Sequence, residues 1–289
     1  AESATDEQRE ARAGRRLLRR EFPGLRGRHV STDSTSPLDD GAVTGAVTGS
    51  VSDGVSVVTL ARAEKANAYS AEMLDQLLAE VELADADPEI RVIVITGQGE
   101  KNFCAGADRT ELAERDWQSV LTMKSESVFR RVRESECVTI AAINGAAVGG
   151  GMELAMACDL RLASETARFW LPEPNFGLLP AAGGTRLLAQ LVGPLRAKEL
   201  ILAGRVWSAR EAFAAGFLTE VVGSAELAIR TTEWAARIVK RDPSATRFAK
   251  ELIDKSIEVR PDSGPDLVVQ SILVARGGGR IADRSDDEA

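Results

Sequence analysis

The run Val138-Thr-Ile-Ala-Ala-Ile143 leads through Asn144-Gly145-Ala-Ala-Val148 into three consecutive glycines, Gly149-Gly150-Gly151, and then Met152-Glu153-Leu154-Ala155 continues as a helix. Few folds accept that order. A strand without a polar face has to be buried on both sides, as in a parallel sheet covered by helices. Three glycines strip every Cβ from the approach to the helix. The backbone there can pack tightly against another backbone. Alternatively, its free N–H groups can point at a ligand, with the helix dipole adding positive potential. The first reading is plain strand–helix packing, and the second is a seat for a phosphate or a developing oxyanion. The segment alone leaves both open. Its spacing is not G-x-G-x-x-G, so the dinucleotide fingerprint fails.

The rest of the chain supports an α/β body followed by a helical region. Val43–Val51 and Val55–Leu60 are β-prone, and Ser52-Asp53-Gly54 between them reads as a hairpin turn. From Ser70 to Ala84 apolar residues recur at helical spacing, with Ser70 as the N-cap. Arg91–Thr96 is a second buried-strand run, Trp117–Arg133 has a helical pattern, Glu153–Cys158 reads as a short helix and Asp159–Ala163 as a strand. Strands alternating with helices argue mainly parallel pairing. Further helices are expected at 196–202, 209–215, 225–240, 244–258 and 266–275. The boundaries expected on this basis are an extension over 1–40, an α/β core over 41–195 and a helical region over 196–289. The extension carries eight arginines between Arg9 and Arg28 but only Leu17 and Leu18 as large apolar residues in its one helical stretch. It is expected to be disordered or loosely docked.

Composition limits the chemistry. There is one histidine, His29, in the extension, and there are three scattered cysteines. A histidine-based triad, a four-ligand zinc site and a disulfide scaffold are all excluded, so no metal is expected. Proton transfer must come from carboxylates, lysines or the lone Tyr69. The formal net charge is −8, which argues against nucleic-acid binding. No apolar run is long enough to span a membrane and no signal-peptide layout is visible. A cytoplasmic location is therefore expected, with free thiols in keeping with it.

Two carboxylates stand out. Glu153 follows the glycines in the first helical turn. Glu173 sits in Phe169-Trp-Leu-Pro-Glu-Pro174, among apolar residues and between two prolines. A carboxylate in apolar surroundings has its charged form disfavoured, which suits proton transfer near neutral pH. Each could also be an ordinary solvated glutamate. Phe103-Cys-Ala-Gly-Ala-Asp108 is a second small-residue segment. It is open either to a ligand against the backbone or to a plain turn into the helix near Glu111.

Together, Phe103–Asp108, Ala142–Asp159, Pro172-Glu173 and Gly177-Leu-Leu-Pro-Ala-Ala-Gly-Gly-Thr-Arg-Leu187 resemble the crotonase, or enoyl-CoA hydratase/isomerase, superfamily. The similarity runs from about Val55 to Ser256 and includes Lys65-Ala-Asn67-Ala68. The resemblance implies a spiral of ββα turns holding a coenzyme A thioester, with no permanently bound cofactor. It implies backbone N–H groups of Ala107 and Gly150 as the oxyanion donors. Glu153 would activate water and Glu173 would exchange a proton with the α-carbon. Lys65, Ala66, Ala68, Ala105, Gly106, Asp108, Gly149 and Trp170 would line the substrate and coenzyme A channel, and acyl-pocket residues would fall within roughly 110–135. Retention of both glutamates favours reversible hydration of a 2-trans-enoyl-CoA. The alternatives are isomerisation, biosynthetic dehydration or decarboxylation on the same scaffold, and a non-catalytic paralogue. Members are usually homotrimers or homohexamers. The Arg-rich extension and the acidic run Gly277–Ala289 depart from the family pattern.

Overall fold

The computed structural model describes residues 46–113, 116–257 and Ser271. The Arg-rich extension, His29 and the helix expected at 266–275 lie outside the described residues. In chain order the strands and helices are β1 (Val47–Ser52), β2 (Val55–Leu60), α1 (Ala71–Ala86), β3 (Val92–Gly97), β4 (Asn102–Cys104), α2 (Arg109–Ala113), α3 (Trp117–Leu121), α4 (Lys124–Arg133), β5 (Val138–Ile143), β6 (Ala146–Val148), α5 (Gly150–Ala157), β7 (Leu160–Ser164), β8 (Arg168–Trp170), α6 (Gly184–Ala203), β9 (Trp207–Ser208), α7 (Ala209–Ala214), β10 (Glu220–Val222), α8 (Leu227–Val239) and α9 (Pro243–Ile257).

Strands from β3 to β8 alternate between two sheets. One sheet has the order β1-β2-β3-β5-β7-β10 and the other β4-β6-β8-β9. Pairing is parallel throughout the first sheet after the antiparallel β1–β2 hairpin. The hairpin turn places Asp53 and Gly54 both at positive φ, 51° and 76°, the geometry that matches strand twist in a tight hairpin. Each long strand is followed by a short strand of the second sheet and then by helix, which gives a ββα spiral.

The alternation of faces explains the apolar runs. In β3, Ile93 and Ile95 join the main core while Val92 and Val94 join a second cluster with Leu227 and Ala235 of α8. Helix α1 begins where expected, the Ser70 hydroxyl accepting from the Met73 N–H at 3.2 Å. It buries Met73, Leu74, Leu77, Val81 and Ala84. All eight residues of α5 are buried, Glu153 included. The buried Arg161 closes the far end of α5, donating to the Cys158 carbonyl at 2.6 Å and, through Nε, to the Phe217 carbonyl at 2.7 Å.

Three expected helices differ in detail. The stretch 117–133 is two helices, α3 and α4, with extended backbone at Met123 between them. Val120 packs with Leu178 over one small cluster, whereas Val128, Phe129 and Val132 face the main core. One straight helix cannot present both sets. Helix α5 starts at Gly150, three residues before the expected Glu153, because glycine is tolerated where the first turn is pressed against other backbone. Helix α6 begins at Gly184, not 196, and runs across the expected boundary at 195, bending at Gly193 (φ 78°) just before Pro194. Proline there lacks the N–H that a straight helix needs. Beyond it, α9 is tied to the core by Lys250, which donates to Asp159 at 2.7 Å and to the Cys137 carbonyl at 3.1 Å. Among the described residues no helix is long and apolar enough to cross a membrane.

Candidate active site

The second sheet brings the two small-residue segments face to face. On one side, β4 ends at Cys104 and the chain turns through Ala105–Asp108. Buried Asn67 holds the neighbouring loop, its side-chain amide donating to the carbonyls of Gln98 and Asn102 at 3.0 and 2.8 Å. The Ala105 N–H donates to the Ala66 carbonyl at 3.1 Å. Tyr69 then forms a parallel bridge with Ala107. Tyr69 makes that bridge with its own N–H to Gly106 and its own carbonyl to Asp108, at 2.8 and 2.9 Å. The Ala107 N–H is therefore turned away from the pairing.

Opposite lies the start of α5. The Gly149 N–H donates to the Trp170 carbonyl at 3.0 Å, which fixes β6 to β8. The three glycines have separate reasons. Gly149 has φ 52°, and a Cβ there would sit 2.8 Å from Glu173 Oε1. At Gly150 a Cβ would collide with the Tyr69 hydroxyl, and at Gly151 with the Cys104 carbonyl. Gly151 is thus close packing, while Gly149 and Gly150 border the cavity. Gly150 is the first residue of α5, so its N–H has no acceptor within the helix. Gly106, at φ 89°, lets that amide approach: its Cβ would stand 3.2 Å from Gly150 N.

These parts enclose a cavity of about 340 Å³. Ala105, Gly106 and Ala107 line it from one side, and Gly149, Gly150 and Glu153 from the other. Glu173 and Trp170 close a third wall. Glu153 is buried, and its Oε1 accepts the Gly184 N–H at 2.8 Å from the first residue of α6. Glu173 opens a 3₁₀ turn, Glu173–Phe176, between Pro172 and the αL residue Gly177. Its Oε2 is shielded from solvent without a hydrogen-bond partner. Burial pushes this carboxyl up to about 7, since removing solvent disfavours the charged form. Beside the cavity, burial pushes the Cys104 thiol up to about 12, so it is no thiolate nucleophile near neutral pH.

Four residues expected at the channel do not line this cavity. Lys65 is exposed on the 3₁₀ turn Ala63–Lys65, with Ala66 and Ala68 beside it. Asp108 is buried and caps α2. Its carboxylate is held below the usual range by the Thr110 hydroxyl and N–H, at 2.6 and 3.0 Å, and by Arg62 at 2.7 Å. Leu112, Val120 and Met123 also line it, within the stretch 110–135 expected to supply acyl-pocket residues, whereas Tyr69, Phe176 and Leu178 were not singled out as lining residues. Val120, Leu178, Leu112 and Phe176 form an apolar cluster at one end. The signal for Tyr69 was its being the lone tyrosine, next to the Lys65–Ala68 motif. Among the described residues, no group of three His, Cys, Asp or Glu is placed to hold a metal ion.

The family model described as enoyl-CoA hydratase/isomerase matches residues 50–265. The chain belongs to the enoyl-CoA hydratase/isomerase family. It is 42% identical to a putative enoyl-CoA hydratase/isomerase of Bacillus subtilis, YngF, over 71% of this chain and 79% of that protein. With the short-chain-enoyl-CoA hydratase of Clostridium acetobutylicum the identity is 37%, over 72% and 81%. The crystal structure of an enoyl-CoA hydratase from Bacillus anthracis superposes with a TM-score of 0.72 at 34% identity, covering 83% of this chain and 98% of that one. The crotonase-like α/β fold and the enzyme class expected from the resemblance, enoyl-CoA hydratase, agree with these relatives. The hydratase/isomerase family acts on coenzyme A thioesters, and in this member the two segments that carry the family motifs meet at the cavity.

Proposed function

We propose that this enzyme catalyses reversible hydration of a 2-trans-enoyl-CoA to a 3-hydroxyacyl-CoA in the cavity between Ala107 and Gly150. The observation that carries the reading is the pair Glu153 and Glu173 lining one cavity together with Ala107 and Gly150. The amides of Ala107 and Gly150 hold the thioester oxygen as negative charge develops on it. Glu153, oriented by the Gly184 N–H, takes a proton from the attacking water as its oxygen bonds to the β-carbon. Glu173, protonated below about pH 7, delivers a proton to the α-carbon. Reversal exchanges the roles. Glu153 then holds the proton and returns it to the departing hydroxyl, and Glu173 accepts the α-proton. Both directions use a carboxyl pair carrying one proton in total. Lys65, Ala66, Ala68 and Ala105 flank the coenzyme, and the Leu112, Val120, Phe176 and Leu178 cluster receives the acyl chain.

Coenzyme A enters only as part of the substrate. The assembly proposed is a homotrimer or dimer of trimers. Exposed Leu195, Leu202, Val206 and Phe213 supply apolar surface for it. A reducing cytoplasm is the proposed setting, in keeping with the buried free thiols of Cys104, Cys137 and Cys158. The proposed organisation keeps 1–40 as an extension, 41–195 as the catalytic spiral and 196–289 as the assembly region.

The test is a panel of enoyl-CoA, 3-enoyl-CoA and malonyl-type thioesters, incubated with enzyme and resolved by mass spectrometry. A mass gain of one water on 2-enoyl-CoA is expected. Turnover confined to double-bond migration or loss of carbon dioxide would replace the hydratase reading with another reaction of the family.

A further inference from the structure

We propose that Tyr69 is a further catalytic residue, its phenolic O–H donating to the thioester oxygen alongside the amides of Ala107 and Gly150. The inference rests on the oxyanion reading above. Tyr69 is the only tyrosine in the chain. It is buried, and it lines the same cavity as the two glutamates. Its backbone makes both hydrogen bonds of the bridge that presents Ala107. Its side chain reaches the opposite wall, where the hydroxyl lies against Gly150 so closely that a Cβ on that residue would overlap it. A Cβ there would also stand 2.9 Å from both Cε1 and Cζ of the ring. One residue therefore touches both peptides assigned to the oxyanion.

The ring is held in this position by packing. It meets Phe129 edge-to-face, with centroids 5.6 Å apart and planes at 89°, and Phe129 is itself fully buried in the main core. Packing alone would be met by phenylalanine. The hydroxyl adds a donor that packing does not require, and it lies against Gly150, the first residue of α5. A phenol is a stronger donor than a backbone amide, and a fixed one costs no reorganisation as charge develops on the oxygen. Its contribution grows with that charge, so it should appear in kcat more than in KM.

The experiment compares wild type with Tyr69→Phe, which keeps the ring and its packing. Two readouts are taken beside a thermal melt that confirms folding. The first is steady-state hydration of crotonyl-CoA. A fall in kcat of at least about tenfold with KM within about twofold is expected, less than the about 10²–10³-fold loss seen when an oxyanion-hole donor is removed, because both backbone amides remain. The second needs no hydration: the near-ultraviolet enolate band of bound acetoacetyl-CoA, titrated against pH. Wild type should favour the enolate, and Tyr69→Phe should shift its formation to higher pH by about one unit, the same tenfold. If wild type stabilises the enolate yet hydrates no enoyl-CoA, the hydratase reading fails while the Tyr69 role stands on the pH shift. If Tyr69→Phe stabilises the enolate as wild type does, the Tyr69 role is overturned whatever the turnover. If wild type does not stabilise it at all, the oxyanion reading falls and takes this role with it.

Discussion

Glu153 and Glu173 reach one cavity from two kinds of structure. Glu153 rides on the first turn of α5, a helix buried on all sides, and a backbone N–H from α6 fixes its Oε1. Glu173 stands on a proline-flanked 3₁₀ turn, with one oxygen shielded and unpartnered and its carboxyl pushed up to about 7 by burial. The same side chain is oriented in one place and desolvated in the other. An enzyme that must move two protons in one turnover benefits from that contrast, because groups in different environments take different roles. The difference also shows where the design is exposed to failure. Glu153 depends on helix position, whereas Glu173 depends on the dryness of its pocket.

The largest effects come from removing either partner. Glu153→Ala and Glu173→Ala should each lower kcat by about 10²–10⁴-fold, the range for one acid–base group. The double variant should lose little more than the worse single, because groups that act as a unit are not additive. Steady-state kinetics on crotonyl-CoA checks this, and a double loss equal to the product of the singles would make the two glutamates independent.

Gly149→Ala attacks the space between them. Its φ of 52° is strained for any L side chain, and the new Cβ would stand 2.8 Å from Glu173 Oε1. A fall in kcat of about 10²-fold is expected from misplaced geometry, with a stability loss of about 1–3 kcal/mol in denaturant titration. Wild-type kinetics with lost stability would show that Glu173 tolerates being moved.

Stability against pH separates the carboxylates further. Burial raises the folded Glu173 carboxyl above its ordinary value. Its favourable contribution is therefore complete below about pH 4.5 and is lost as pH rises through about 7. Glu173→Gln should melt a few degrees above wild type at pH 8, and the gap should close by pH 5. Scanning calorimetry at the two values decides it, and an equal gap at both would remove desolvation as the cause. The smallest effect expected is that of His29→Ala, with turnover within twofold of wild type. A larger loss would bring the extension into the chemistry.

Much of this was legible in the chain. The apolar run of β3, the Ser70 cap and the Asp53-Gly54 turn each depend on neighbours in sequence, and local pattern was enough for them. The glycine triplet was half legible. That it must border something was clear, but Gly151 answers to the Cys104 carbonyl and Gly149 to Glu173, and these contacts cross tens of residues. The break between α3 and α4 was hidden because it arises from two separate apolar clusters drawing one helical pattern apart. Sequence did not show that Lys65 would stand exposed on a turn outside the cavity, or that the Asp108 carboxylate would cap α2. The Gly184 amide that orients Glu153 left no signal, since a backbone donor has no residue type of its own.

The proposed hydration needs a carboxyl pair that works while it carries one proton. The most direct measurement is kcat/KM against pH for wild type in both directions, hydrating crotonyl-CoA and dehydrating 3-hydroxybutyryl-CoA. Hydration consumes no net proton, and the two directions differ only in which carboxyl holds the shared one. Both profiles should fall along the same limb above about pH 7, where Glu173 loses its proton. Profiles that stay flat from pH 6 to 9 would contradict the assignment.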